Sequence, residues 1–172
     1  IDILTHPIVE TAIPPMSHFG VKAAHFSFSR LVGLDPICGV EMISTGEVGC
    51  ISKKFHHALV LAIESTGIVP PSHGILISSG PSQSKALFLE TMPWLEKLGI
   101  PLYATHGSAT HLRNAGYAVT ELPWPGELET DVIRAIQKRR IDFVINIPKN
   151  KTSAELKYSR QIRSAAIQSG CS

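Results

Sequence analysis

The sequence is poor in cysteine, in long apolar runs and in excess charge of either sign. Its 172 residues include three cysteines, Cys38, Cys50 and Cys171, an odd number with neither CxxC nor CxH spacing. This argues against a disulfide framework or a zinc site, and it makes a reducing compartment the expectation. No apolar run approaches the roughly 20 residues that a membrane-spanning helix needs, so we expect neither a membrane protein nor a membrane partner.

The charges almost cancel, with 16 Lys and Arg against 14 Asp and Glu and a formal net charge of +2. A nucleic-acid-binding domain would carry a larger and more clustered excess, so we expect no nucleic-acid partner. The basic run at residues 138–140 is interpreted as the solvated last turn of a helix, where cations complement the helix dipole.

The composition is that of a folded globular protein, with 44% hydrophobic residues, 13 Gly and 12 Pro. A chain of this length can bury a cooperative core without disulfides or metal. The sequence begins with Ile1, and it ends at Ser172 directly after a predicted helix. We therefore expect it to be a piece of a longer chain.

The first 70 residues alternate short apolar stretches with proline and glycine. Apolar residues at every second position, Phe26 with Phe28 and Val40 with Met42, predict short strands. Residues 55–65 carry apolar side chains at helical spacing before a glycine, which predicts a helix. Two prolines and a glycine within residues 69–74 predict a linker. The linker divides a smaller, irregular α+β segment, residues 1–70, from a second domain, residues 74–172.

In the second domain, predicted strands and helices alternate four times. The strands are predicted at residues 75–78, 102–105, 118–122 and 143–147, and the helices at 84–98, 109–115, 129–138 and 155–168. Continuously apolar strands separated by helices predict an α/β fold with a doubly wound parallel sheet, covered by helices on both faces.

In such sheets, ligands bind beyond the carboxyl ends of the strands. This rule selects residues 78–85, 105–108, 122–125 and 146–151. The first loop leads into a helix and is followed by Lys85, which suits an anion held by backbone N–H groups and a positive charge. The second places Thr105 and Ser108 at a helix start. Helix capping explains either loop alone, but their convergence at one edge favours an anion site.

No residue pattern predicts catalysis or a metal site. His56 and His57 are adjacent on a predicted helix and cannot face one ligand together. His106 has no neighbouring nucleophile motif, and GxSxG, HExxH and GxGxxG are all absent. We therefore predict a binding module, with no catalytic residue and no metal ligand.

Residues 25–48, HFSFSRLVGLDPICGVEMISTGEV, and residues 62–78, AIESTGIVPPSHGILIS, resemble the large chain of carbamoyl-phosphate synthetase. The resemblance covers essentially the whole chain. It implies that residues 1–70 are the tail of the second ATP-grasp half and its connector. Residues 74–172 would then be the methylglyoxal-synthase-like allosteric domain, a five-stranded parallel sheet without its last strand. ATP and magnesium would bind upstream, and no cofactor is expected in this part.

The resemblance also implies an effector site. The positions that hold a nucleotide such as UMP or IMP in the bacterial enzyme correspond here to Lys85, Thr105, Ser108, Asn146 and Ser159. Trp124 stands where the bacterial enzyme has lysine. A tryptophan at this position resembles the enzymes of the arginine and urea-cycle branch, whose effector is N-acetylglutamate. Lys149 replaces an asparagine of that branch, and ATHGSA is closer to the bacterial loop. Animal pyrimidine-pathway synthetases also carry the tryptophan, so both effectors remain open, with N-acetylglutamate favoured. The structural alternative for Trp124 is a partly buried rim aromatic.

The resemblance further implies the catalytic body of the same chain and a glutaminase subunit or domain as partners. It places the protein in the cytoplasm or the mitochondrial matrix, not outside the cell. Methylglyoxal synthase, a lyase of the same fold, is a third candidate, because ATHGSA is similar to its phosphate-binding loop. Its catalytic aspartate segment is represented only by WPGELETD, residues 124–131. Without that carboxylate no group is placed to move the substrate's proton.

Overall fold

The structure is a computed structural model that describes residues 16–28, 42–128, 131–148 and 153–172. The elements of the N-terminal part are β1 Phe19–His25, β2 Gly46–Ser52 and α1 Phe55–Ser65. The elements of the second part are β3 Ile75–Ser78, α2 Ser82–Leu89, α3 Met92–Lys97, β4 Leu102–Thr105, α4 His106–Asn114, β5 Thr120–Leu122, α5 Val132–Gln137, β6 Phe143–Asn146 and α6 Ser153–Gln168.

The N-terminal part is an antiparallel pair of strands packed against one helix. β1 and β2 pair in register, with Val21 opposite Cys50. Burial alternates along both strands, so each strand presents one face to α1 and the other to solvent. The helix contacts both strands and buries Ala58 and Ala62 completely.

The segment between α1 and β3 has neither helix nor strand, as its prolines and glycines predict. It is fastened by the carboxylate of Asp142, which precedes β6. The Asp142 oxygens accept hydrogen bonds from the backbone N–H groups of Ser72, His73 and Gly74 at 2.8, 3.0 and 3.0 Å. The Ser72 hydroxyl donates a fourth at 2.8 Å, and His73 Nδ1 lies 3.1 Å from the carboxylate. The linker is therefore bound tightly to the sheet at the amino end of β6.

The second part contains a four-stranded parallel sheet with the order β5-β4-β3-β6. The chain runs outward from β3 through β4 to β5, then crosses back to place β6 on the other side of β3. The order of winding therefore changes at β3, which is where doubly wound sheets bind ligands.

Helices cover both faces of this sheet. In β3, Ile75 and Ile77 point into a core formed with α2, α3 and α4, whereas Leu76 points into a core formed with α5 and α6. Successive side chains of a strand point to opposite faces, so burial on both faces requires an uninterrupted apolar strand. This confirms the predicted α/β class with helices on both faces.

The outer edge of β6 carries one further backbone contact. The Ser172 N–H donates to the carbonyl of Asp142 at 3.0 Å, and the Val144 N–H donates to the carbonyl of Ser172 at 2.7 Å. These two bonds are one rung of a parallel ladder. The Ser172 hydroxyl also accepts a hydrogen bond from the N–H of Val69 at 2.8 Å.

The strand predicted at Phe26 and Phe28 is wrong. β1 lies earlier in the chain and ends at His25, where its pairing with Gly46 stops. The alternation within β1 involves smaller side chains, while Phe26 and Phe28 follow the strand and stack on each other, with ring centroids 5.1 Å apart. Met42 lies in no strand, and Val40 lies outside the described residues.

The single helix predicted at residues 84–98 is two helices, α2 and α3. Pro93 lies in the first turn of α3, where its missing N–H and fixed φ are tolerated, but it cannot continue a preceding helix. The other helices and strands predicted from residue 55 onward exist; α1, β3 and β4 have the predicted bounds, and the rest have shifted ends. The largest shifts, three residues at the start, are at α5 and at α4, which begins at His106 directly after β4.

Candidate functional site

Buried hydroxyl groups meet at the carboxyl ends of β3 and β4. Ser78 and Thr105 end these strands, and Ser79 and Ser108 follow them, all four buried. The Ser79 N–H and hydroxyl both donate to Ser108 Oγ at 3.0 Å. Ser108 Oγ thus uses both lone pairs as an acceptor. Its own proton is left to donate to a ligand.

The loop after β3 approaches the loop after β6 closely. Gly80 has φ +66°, and a Cβ at this position would lie 2.7 Å from the carbonyl oxygen of Ile147. Only glycine combines this backbone conformation with so close an approach. The N–H of Ile147 donates to the carbonyl of Ser78 at 2.8 Å, which ties the two loops together.

A cleft of about 200 Å³ lies among these loops. Five of the predicted site residues line it: Lys85, Thr105, Ser108, Trp124 and Ser159. Lys85 comes from α2, and its Nζ donates to the carbonyl of Gly107 at 2.8 Å. This bond holds the ammonium group beside the buried hydroxyls, where it can neutralise an anion.

The two remaining predicted site residues do not line the cleft in the described structure. Asn146 ends β6 opposite Ser78, so it stands at the same edge of the sheet. Its side-chain nitrogen and oxygen are both buried, with no hydrogen-bond partner among the described residues. An unsatisfied buried amide costs free energy, and a ligand or water at this edge would remove that cost. Lys149 lies outside the described residues.

Trp124 forms one wall of the cleft. Its ring is half-buried, packs against the core beneath α5 and α6, and stacks on Tyr158 with centroids 5.5 Å apart and planes at 28°. The stacking occupies part of the indole surface and fixes its orientation. Trp124 is thus a rim aromatic that also faces the cleft.

A charged cluster flanks the cleft on the side of β5. His106 Nδ1 lies 2.6 Å from Glu121 Oε1, and the Arg113 guanidinium donates to Glu121 Oε2 at 2.9 Å. The hydrogen bond with His106 and the nearby positive charges lower the pKa of Glu121, against the opposing effect of burial. A wider groove of about 600 Å³ begins here, and His106 and Trp124 line both it and the cleft.

The segment that represents the catalytic aspartate segment of methylglyoxal synthase contains Asp131, and this carboxylate binds backbone N–H groups outside the cleft. Asp131 is buried, and its oxygens accept hydrogen bonds from the N–H groups of Arg134 at 3.0 Å and Gly126 at 2.8 Å. It therefore caps the N-terminus of α5. Asp131 does not line the cleft.

Sequence reasoning missed one charged residue of the cleft, Glu155. It precedes Ser159 by four residues on α6 and therefore shares its face of the helix. This spacing could have identified it. His106 also lines the cleft; it lies within the loop of residues 105–108 that the rule for strand ends selected, but it was not named as an effector-site residue.

The part of the chain that the structure describes contains no helix that could cross a membrane. Among the same residues, no three His, Cys, Asp or Glu side chains lie close enough together to hold a metal ion.

Residues 88–171 match the family model of the MGS-like domain. The parallel sheet and its flanking helices thus belong to an MGS-like domain. The chain is 36% identical over 177 residues to "Carbamoyl-phosphate synthase [ammonia], mitochondrial" of Aquarana catesbeiana, covering 99% of the chain and 12% of that relative. It is 40% identical to "Multifunctional protein pyr1-3" of Dictyostelium discoideum, covering 87% of the chain and 7% of the relative. It is 38% identical to "Multifunctional protein CAD" of Squalus acanthias, covering 74% of the chain and 6% of the relative.

The chain is therefore a region of the carbamoyl-phosphate synthase family that includes its MGS-like domain. It spans at most 12% of the length of these three relatives. One of them is named as a mitochondrial carbamoyl-phosphate synthase, and the other two are named as multifunctional proteins.

Proposed function

We propose that residues 74–172 bind a small anionic effector and act as the allosteric domain of a carbamoyl-phosphate synthase. The observation that carries this proposal is the meeting of Lys85, Thr105 and Ser108 in one cleft at the change of winding in the sheet. A lysine ammonium and buried hydroxyl donors suit a phosphate or carboxylate group. The unsatisfied amide of Asn146 provides further donors and acceptors at the same edge.

We infer that the effector is N-acetylglutamate rather than a nucleotide. The cleft of about 200 Å³ is smaller than the roughly 300–1,000 Å³ typical of sites for larger ligands. The acetyl group can pack on Trp124 while the carboxylates meet Lys85 and the hydroxyls. A nucleotide such as UMP, UTP or IMP would have to extend past Trp124 into the wider groove, which Glu121 and Glu127 line. Nucleotides are the second candidate, since their bases can stack on indole.

A ligand panel tests both inferences. The thermal stability of the chain is measured with N-acetylglutamate, UMP, UTP, IMP and ornithine, because a ligand at about 100 times its dissociation constant adds roughly 2.7 kcal/mol to the free energy of unfolding. We expect stabilisation by N-acetylglutamate that Lys85→Met abolishes. Lys97→Met is the matched control, since Lys97 lies over the Trp94 ring, away from the cleft. Stabilisation by UMP or UTP alone would assign the chain to the pyrimidine branch.

We further propose that the whole protein is a ligase that forms carbamoyl phosphate from bicarbonate, ATP and ammonia or glutamine. ATP and magnesium would bind its catalytic body, with a glutaminase subunit or domain as a further partner. The relatives named for the mitochondrion support the arginine and urea branch and the mitochondrial matrix, whereas the pyr and CAD relatives support pyrimidine synthesis and the cytoplasm.

The effector would act through residues 39–48, with a coupling free energy of about 1–3 kcal/mol. An effector that bound the full chain without changing its ATP affinity or turnover would contradict this coupling.

The isolated chain should not act as a methylglyoxal synthase. Asp131 caps α5 and does not line the cleft, so it is not placed to move a substrate proton. Assay of methylglyoxal formation from dihydroxyacetone phosphate checks this. Activity that Asp131→Asn abolishes would replace the regulatory proposal with a lyase.

A further inference from the structure

The charged cluster beside the cleft contains a group that can change its charge near neutral pH. His106 is the first residue of α4, lines the proposed effector cleft, and leaves 72% of its side chain exposed. Its Nδ1 is held by Glu121 at 2.6 Å. Imidazole is the side chain that ordinarily gains or loses a proton between pH 5 and 8.

Charged groups of both signs surround His106. Glu121 on β5 carries negative charge beside its Nδ1. Arg113 on α4, Lys85 on α2 and the N-terminal end of the α4 dipole supply positive charge. Glu155 on α6 lines the same cleft, and Glu127, after β5, lines the adjoining groove. An anion in the cleft would add negative charge near this imidazole, because His106 lines the cleft.

We propose that the site takes up a proton together with its anion: His106, positioned by Glu121, becomes the second cation of the cleft, so anion affinity rises as the pH falls from 8.5 to 6. This inference rests on the proposed function, because it requires the cleft to bind an anion. Binding and protonation are reciprocal by linkage, so the anion favours the imidazolium as much as the imidazolium favours the anion. Glu121, whose pKa is lowered, remains ionised throughout this range, which leaves His106 as the group that changes.

The probes must keep a constant charge over the range of pH. Sulfate and N-acetylglutamate do so, whereas the phosphate of a nucleotide titrates near pH 6. Their dissociation constants are measured by calorimetry from pH 6 to 8.5, in pairs of buffers with different ionisation enthalpies, which counts the protons taken up on binding. We expect dissociation constants roughly three- to tenfold lower at pH 6 than at pH 8.5, with uptake of at most about half a proton between these limits.

Variants separate the role of His106 from general electrostatics. His106→Gln should flatten the pH profile and abolish proton uptake. Glu121→Gln should move the onset of tighter binding to lower pH, because the imidazolium loses its carboxylate. His56→Gln is the matched control, since His56 lies on α1 outside the cleft, and it should retain the profile of the parent chain.

The outcomes distinguish the two proposals. If neither these probes nor UMP, UTP or IMP bind at any pH, the proposed effector site itself fails, and this inference fails with it. If the probes bind with the same affinity at pH 6 and 8.5 and without proton uptake, the effector site stands and the role of His106 is refuted. Proton uptake that persists in His106→Gln refutes that role as well.

Discussion

Asp142 fastens the linker to the sheet through a single carboxylate. Partial burial alone would raise its pKa, but the hydrogen bonds from Gly74, Ser72 and His73 outweigh that effect and hold the pKa well below its ordinary value. A folded-state pKa below the unfolded one means that the ionised form stabilises the fold. That stabilisation is complete above about pH 5 and is lost as the pH falls below about 4.

Asp142→Asn should therefore lower the free energy of unfolding by about 2–3 kcal/mol at pH 7, because the charge is lost and the amide NH₂ opposes the donors around it. Denaturation is measured with urea at pH 7 and at several lower pH values. The difference between variant and parent should shrink towards pH 2. A difference that does not change with pH would show that ionisation of Asp142 does not stabilise the linker.

Gly80 and Gly99 provide a matched pair for the loop beside the cleft, since both have φ +66°. An added Cβ has open space at Gly99, whereas at Gly80 it meets the Ile147 carbonyl. Both alanine variants should lose about 1 kcal/mol through the backbone conformation. Gly80→Ala should lose a further 1–3 kcal/mol through overpacking and should also weaken anion binding. Equal losses in the two variants, measured by urea denaturation, would mean that the loop accommodates the methyl group.

Among the elements, α5 is followed by a residue whose backbone conformation is unfavourable for a non-glycine side chain. Arg139 follows the C-cap Lys138 with φ 58°, the only positive φ of a non-glycine residue in the described ranges. Helices commonly place glycine at this position because the left-handed conformation costs other residues about 1–2 kcal/mol. Gly67, Gly99 and Gly116 have positive φ just after α1, α3 and α4.

Arg139→Gly should raise the free energy of unfolding by about 0.5–1 kcal/mol, after the greater freedom of glycine in the unfolded chain is subtracted. Lys138→Gly is the control, since Lys138 has φ −80°, and it should be destabilising. Both are measured by thermal and urea denaturation. A destabilised Arg139→Gly variant would show that contacts of the guanidinium stabilise the fold by more than the left-handed backbone conformation destabilises it.

The elements also show where sequence reasoning succeeded and where it did not. β3 and β4 were predicted with their observed bounds, because burial on both faces leaves uninterrupted apolar runs between turn residues. Phe26 and Phe28 misled the prediction of a strand, since aromatic alternation does not specify a pairing partner. The loops after β3 and β4 were identified by the rule for strand ends, but the pair of His106 and Glu121 depends on how β5 lies beside β4. No local pattern encodes that contact.

For the molecule as a whole, we expect the outer edge of β6 to be able to pair with another strand. Ser172 already forms one parallel rung with residues 142–144. Lengthening the chain by about 20 residues of a family-like tail should add several kcal/mol to the free energy of unfolding, at roughly 1.5–3 kcal/mol for each apolar side chain that becomes fully buried. It should also reduce aggregation, because an open strand edge pairs with other molecules. A Gly/Ser tail of equal length is the control, and equal melting temperatures for the two would contradict a fifth strand at this edge.

The hydrogen bonds that fasten the linker should form late in folding. Gly74 and Asp142 are 68 residues apart in sequence, and pairing across such a distance must close a long loop, which slows folding. The strand pair with α1 and the helices around β4 can form from nearer contacts. The hydrogen bonds between residues 72–74 and Asp142 must wait until β6 lies beside β3. During synthesis, the N-terminal part would therefore stay loosely tethered until β6 has left the ribosome.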